Sequence, residues 1–278
     1  MDINFALKLI SSLILFAPLS VFADDVDFRF SGKPIYIQSE DIEEDRKKDN
    51  WSGRLGVGLE IRPQFLGSDE HQLDLSLDFK ASYKERIFIE NNKVGALLHK
   101  GKLLRAGVLA RAVLGRRNDY VAADLAGLDD VDEAFEIGIF AGTSLYKLFL
   151  TGELYFDVSG VHNGFSAELE GGYTYELNSE LTLTPIIGAV WGSSKYMQTY
   201  FGVEQGESVV FEAYKPDGGL YELYLEAALE QRLSKRWILK ASARLSDLRG
   251  NAARSPIVRG SDGSNSQLST FVAAVWLF

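Results

Sequence analysis

Three histidines stand in the sequence, His71, His99 and His162. His162 is the one whose neighbours could support a reaction. It lies in Val161-His-Asn-Gly164, four residues before Ser166, in a chain rich in carboxylates. A histidine that takes the proton of a serine hydroxyl, with an acid orienting its ring, is the arrangement that attacks esters. The favoured reading is a polar loop histidine that holds a turn. No Gly-x-Ser-x-Gly elbow, His-Glu-x-x-His pair or phosphate-binding glycine loop accompanies it. Asp129, Asp130, Asp132, Glu133 and Glu136 offer hard oxygen ligands for Ca²⁺ or for bridging lipopolysaccharide, but calcium-loop spacing is absent and a solvated acidic loop is the simpler reading. The expectation is no catalytic residue, no metal site and no cofactor.

Composition narrows the alternatives. The chain has no cysteine, so neither a disulfide nor a thiolate metal site is available. A net charge of −10 argues against nucleic acid or anionic lipid as a general partner. Residues 1–23 carry one early lysine, an apolar run and Val21-Phe22-Ala23 before Asp24, the pattern of a secretory signal peptide cleaved near Ala23. Beyond it no apolar stretch approaches the roughly 20 residues of a membrane helix. Residues 24–50, centred on the charged run Glu40–Asp49, read as a mobile N-terminal extension in the periplasm, with a docking segment as the functional alternative.

From Trp51 a two-residue period persists. Leu55, Val57, Leu59 and Ile61 share one face, and Leu73, Leu75, Leu77 and Phe79 another. Charged residues such as Glu60, Arg62, Asp74, Asp78 and Lys80 stand opposite. A soluble barrel and an inverted, lipid-facing one share this alternation. Connection lengths separate them. Tight turns at Lys100–Lys102, Lys147, Asn178–Glu180 and Ser234-Lys235 alternate with mostly longer links, as between periplasmic turns and extracellular loops. A short hairpin at Asn91-Asn92-Lys93 brings the expected number of strands to twelve; without it the alternative is ten. The fold expected over residues 51–278 is an all-β, antiparallel, up-and-down transmembrane barrel. Charges of both signs on the inner faces could bridge the lumen into a plug, or line a narrow cation-biased channel.

The closing strand carries Trp276 and Phe278 on one face, expected to close the barrel at the membrane interface and to be read by the insertion machinery. Its other face, Phe271, Ala273, Val275 and Leu277, is apolar as well. Either something covers the lumen there, the N-terminal extension being a candidate, or the alternation fails at this strand.

Tyr196-Met197-Gln198-Thr199-Tyr200-Phe201-Gly202-Val203 resembles a loop of the MltA-interacting protein (MipA/OmpV) family of Gram-negative outer-membrane proteins. Ser255-Pro256-Ile257-Val258, Arg62-Pro63-x-Phe65-x-Gly67-Ser68-Asp69 and Tyr214-x-Pro216-Asp217-x-Gly219 agree in order. Arg254 stands where the family pattern suggests an acid. The resemblance implies a non-enzymatic outer-membrane barrel among lipids and lipopolysaccharide. It also implies a scaffold linking a murein transglycosylase to a murein synthase.

Overall fold

The computed structural model describes residues 50–116, 125 and 128–278. The expected signal peptide and residues 24–49 of the extension lie outside the described residues. Strand β1 (Trp51–Pro63) shows how the alternation resolves: Leu55, Val57, Leu59 and Ile61 are exposed, whereas Glu60 is buried. The apolar face is outside and the charged face inside, which is the inverted, lipid-facing arrangement.

Eleven further strands follow: β2 (His71–Tyr83), β3 (Ile87–Glu90), β4 (Lys93–Lys100), β5 (Arg105–Val113), β6 (Ala134–Leu145), β7 (Leu148–Asp157), β8 (Phe165–Tyr173, resumed at Tyr175–Glu176), β9 (Leu181–Gly192), β10 (Gly219–Arg232), β11 (Trp237–Leu248) and β12 (Ser266–Leu277). Each pairs antiparallel with its neighbours, and β12 returns to β1 from Arg54↔Leu277 to Ile61↔Thr270, closing the sheet. At ~3.3 Å per residue and ~45° tilt, a twelve-residue strand rises roughly 28 Å, enough for the hydrocarbon layer.

The count of twelve depends on the β3–β4 hairpin. Asn91 and Asn92 form its tip and stitch it to both flanking strands. Asn91 donates its N–H to the Phe79 carbonyl and accepts the Phe79 N–H on Oδ1, both at 2.8 Å. Asn92 Nδ2 donates to the Ala112 carbonyl at 2.8 Å. The hairpin is short, so the upper part of β2 has no strand partner on that side among the described residues. Leu73 and Leu75 there are 64% and 61% exposed, above their counterparts on β1.

The ends of the barrel differ. At one end the links are brief: 84–86, 101–104, 146–147, 177–180 and 233–236. At the other, links 114–133, 193–218 and 249–265 are long and carry helix α1 (Ser194–Phe201) and the single turn α2 (Pro256–Arg259). Trp51, Tyr83, Trp237, Trp276 and Phe278 gather near the short-turn end, and Phe135, Phe156, Phe165 and Trp191 near the other, as two aromatic belts. No helix among the described residues is long and apolar enough to cross a membrane.

Candidate functional site

Links 193–218 and 249–265, with the described residues Leu125 and Leu128 of the third, fold over the barrel mouth as a lid, and α1 is its centre. Sequence reading expects a loop over Tyr196–Val203; the structure makes most of it helical. Ser193 supplies the N-cap, its Oγ accepting the N–H of Tyr196 at 3.3 Å. The same oxygen accepts the Phe165 N–H at 2.9 Å and ties the helix start to β8. Tyr196, Met197, Tyr200 and Phe201 recur at helical spacing and form the face turned into the barrel. Gln198 and Thr199 lie on the other side, bonding Glu204 and the Lys195 carbonyl. Gly202 ends the helix and Val203 bridges to Tyr214.

The second motif block meets the first. Ser255 Oγ donates to the Phe201 carbonyl at 2.7 Å and accepts the Ile257 N–H, so one hydroxyl caps α2 and joins it to α1. Pro256 occupies the first turn, where its missing N–H costs nothing. Ile257 packs with Phe65, Leu125, Leu128 and Val203, and Val258 with the core beneath α1. Arg116 donates to the Tyr200 carbonyl at 3.2 Å from the neighbouring link. Burial pulls its guanidinium down to about 10, against the opposing pull of Glu207.

A polar chain descends from the lid. The ring of Tyr196 stacks on Tyr221, with their hydroxyls 3.1 Å apart, and meets the His162 ring edge-on. His162 Nδ1 accepts the Gly164 N–H at 3.0 Å, which leaves the proton on Nε2, 2.9 Å from Glu136. Glu136 also binds Arg111, which donates to Ser166 Oγ at 3.0 Å and stacks on Tyr155 at 3.6 Å. Tyr155 bonds Glu153, and Lys93 reaches Glu153 at 2.6 Å.

Two more clusters cross the lumen. Arg244 lies 3.5 Å over the Tyr224 ring and donates to Glu222 at 2.8 Å; the Tyr224 hydroxyl is 2.8 Å from both Glu168 and Glu170. Asp78 accepts from Arg54 at 3.2 Å and Lys240 at 2.9 Å, and Arg54 also reaches Glu230 at 3.0 Å. Lys240 to Asp78, Arg54 to Glu230 and Lys93 to Glu153 connect strands that are not adjacent, so they are chords across the lumen.

His162 therefore has both ring nitrogens engaged with other groups, and Ser166 accepts from Arg111. The His162–Ser166 pair weighed as the catalytic alternative is not assembled as base and nucleophile, and the Gly164 N–H on His162 Nδ1 fits the favoured reading of a histidine that holds a turn. Of the acidic stretch, Glu136 stands on the inner face of β6 among the lumen charges, whereas Asp129, Asp130, Asp132 and Glu133 lie on the exposed link. No group of three acidic or histidine ligands close enough for a metal ion occurs among the described residues. Sequence reasoning missed Glu90, because a four-residue strand offers no alternation to read, and took Lys93 for part of the hairpin tip, where it in fact starts β4 and reaches into the lumen. It also missed α1, whose available signal was Ser193 followed by the spacing of Tyr196, Met197, Tyr200 and Phe201. Trp276 and Phe278 lie side by side at the closure, ring centroids 5.4 Å apart, where Phe278 exchanges backbone hydrogen bonds with Gly53.

No curated protein matches the chain by sequence. Among solved structures the chain is similar to the NanC porin (11% identity, TM-score 0.43, 80% of this chain and 98% of that one). It is also similar to the KdgM porin (8%, 0.39, 81% and 99%). A third is the outer membrane channel DcaP of Acinetobacter baumannii (9%, 0.38, 82% and 96%). Both lid blocks and almost the whole wall beneath them fall within residues 55–278, the stretch matched by the model of the MltA-interacting protein MipA family, and the chain belongs to that family.

Proposed function

We propose that this outer-membrane barrel works as a closed scaffold that offers its periplasmic side to murein-processing enzymes. The observation that carries the reading is the state of the lumen. Chords of opposite charge cross it, and α1 and α2 cover its extracellular mouth. A wall so filled supports anchoring better than transport. The family's name supplies the partner, a murein transglycosylase, with a murein synthase as the second enzyme joined. The short periplasmic turns and residues 24–50 are the surfaces available to them. The outer wall would meet lipids and lipopolysaccharide, and the strand carrying Trp276 and Phe278 would be the segment read by the insertion machinery.

The test uses purified barrel in detergent or nanodiscs and a purified lytic transglycosylase. Saturable binding, weakened when residues 24–50 are removed, is expected. Absence of binding to the barrel with its extension intact would sink the scaffold reading.

A second reading, a narrow cation channel, is motivated by the carboxylate excess around Tyr224, where Glu168, Glu170, Glu222 and Glu226 face the lumen. Planar-bilayer recordings separate the two. The scaffold reading expects a silent wild-type protein, and reproducible cation-selective steps would replace it with the channel.

A further inference from the structure

The alternation holds on the closing strand. Phe271, Ala273, Val275 and Leu277 are buried and face the lumen, so Val272, Ala274 and Trp276 face outward. The outer surface is uneven at this seam. Trp237 of β11 stands beside Trp276 of β12, which stands beside Leu55 of β1. Two residues further along, Leu239, Ala274 and Val57 form the next outward row. Ala274 is a single methyl among long side chains. It floors a depression of about 470 Å³ walled by Leu55, Val57, Trp237 and Trp276. Past Leu239 the outward residues of β11 are Ala241 and Ala243, so the low relief continues for ~13 Å along the strand.

The rim beside this groove is positive. The turn 233–236 leads directly into Trp237, and the Arg236 carbonyl accepts the Leu277 N–H at 2.8 Å, which holds the turn against the end of β12. Lys235 and Arg236 are exposed and, among the described residues, form no ion pair. Arg232, just before the turn, is exposed as well. Glu180, whose carbonyl accepts the Arg232 N–H, and the carboxylate of Phe278 border this turn, and neither forms an ion pair with it. Other cations at this end have partners: Lys100 pairs with Glu85, Lys147 with Glu176 at 3.2 Å, and Lys84 lies over the Tyr83 ring. Arg86 and Lys102 stand on turns that join no groove-lining strand.

We propose that this depression binds one phospholipid of the periplasmic leaflet, with an acyl chain over Ala274 and the phosphate on Lys235 and Arg236. The order along the wall is that of the lipid. Cations on the turn come first, then the tryptophan row, where aromatic rings sit at headgroup level, then the apolar groove. Two cations without carboxylate partners suit a phosphate, to which Arg and Lys make charge-assisted hydrogen bonds. The net charge of −10 opposes anionic lipid over the chain as a whole, but this rim is locally positive. Lipopolysaccharide belongs to the opposite leaflet, on the lid side. The proposal rests on the reading that the wall meets membrane lipid with its short turns in the periplasm. It does not rest on the scaffold role, because its test contains no murein enzyme.

The test is native mass spectrometry of the full mature chain in mild detergent. The barrel is titrated with dioleoylphosphatidylglycerol and, separately, with dioleoylglycerol, which has the same chains and no phosphate. Folding is verified by faster migration of the unboiled protein on a denaturing gel, so failure of the barrel is distinguished from failure of the site. The expected result is one retained phosphatidylglycerol per barrel and weak retention of dioleoylglycerol. Lys235→Gln with Arg236→Gln should weaken retention about ten-fold, the loss expected for a charge-assisted contact. Ala274→Phe, or Ala274→Leu if the larger ring prevents folding, fills the groove, leaves the turn intact and should weaken retention by a similar factor. Lys102→Gln, on a turn away from the groove, should leave it unchanged. No retained lipid, or equal retention in the wild type and every variant, overturns the proposal, the lipid then being annular only. Loss in only one of the charge and groove variants overturns it too, as does equal retention of the two probes. A wild-type dimer that Ala274→Phe converts to a monomer would assign the groove to a second copy of this chain instead.

Discussion

Asp78 serves two cations from two sides of the lumen, Arg54 from its own region of the wall and Lys240 from beyond the closing strand. Its side chain and that of Lys240 are fully buried. Removing one partner of a buried pair costs about 3–5 kcal/mol, because the other charge is left without compensation. Asp78→Asn should therefore lower the temperature at which the folded gel band converts to the unfolded one. Adding Lys240→Met should recover part of the loss, as the coupling of a contacting pair requires. An additive double variant would show that the pair contributes nothing as a pair. Gly188 makes a different demand. A Cβ there would lie 2.0 Å from the Tyr224 ring, so Gly188→Ala must displace the ring from Arg244, Glu168 and Glu170. Overpacking of this kind costs about 1–3 kcal/mol. Tyr224→Phe keeps the stacked ring and should shift the same transition less; a larger shift than Gly188→Ala would place the weight on the hydroxyl instead. The sequence marks Glu222, Glu226, Arg244 and Asp78 as inward by alternation. It does not mark which charge meets which, since chords are set by the curvature of the closed wall and not by spacing along a strand.

At the scale of elements, the lid stands on one small contact. Ser255 joins α2 to the last carbonyl of α1, and both groups are shielded from water. Ser255→Ala removes the cap of α2 and leaves the Phe201 carbonyl without its partner, a cost of about 1–3 kcal/mol. That cost should fall on the lid and not on the wall. The expected outcome is faster cleavage of the 193–218 and 249–265 links by protease added to intact cells, with the gel-band transition unchanged. Equal cleavage would mean that the buried face of α1 holds the lid without this joint. The two motif blocks were legible as motifs, yet their contact was not. They are separated by two wall strands, and only the return of β11 to the same barrel mouth brings Ser255 under Phe201. The helix was hidden for a related reason. Eight residues are too few to overrule the strand period around them, and the helical spacing becomes informative only once Ser193 is recognised as a cap.

At the scale of the whole molecule, the strand count, the short hairpin and the direction of the faces were readable, because a lipid-facing strand repeats one rule for its whole length. What fills the barrel was less readable, because filling is made by links and by pairs distant in sequence. That filling has a consequence for permeability. The lid and the lattice of chords are two barriers in series, and current through a series path is limited by the less permeable barrier. Replacing 193–218 with a short turn removes α1 and its hold on His162, but the chords from Lys240 to Asp78 and from Lys93 to Glu153 remain below. Lid removal alone should therefore leave planar bilayers silent. Neutralising the lattice alone, with Asp78→Ala, Lys240→Ala, Lys93→Ala, Glu153→Ala, Arg54→Ala and Glu230→Ala, should leave them silent too, because the lid still closes the mouth. The combination should produce discrete steps, provided the unboiled protein still migrates as a folded barrel. Steps on lid removal alone would show a continuous water path between the chords, and the closed-scaffold account of the lumen would then fail.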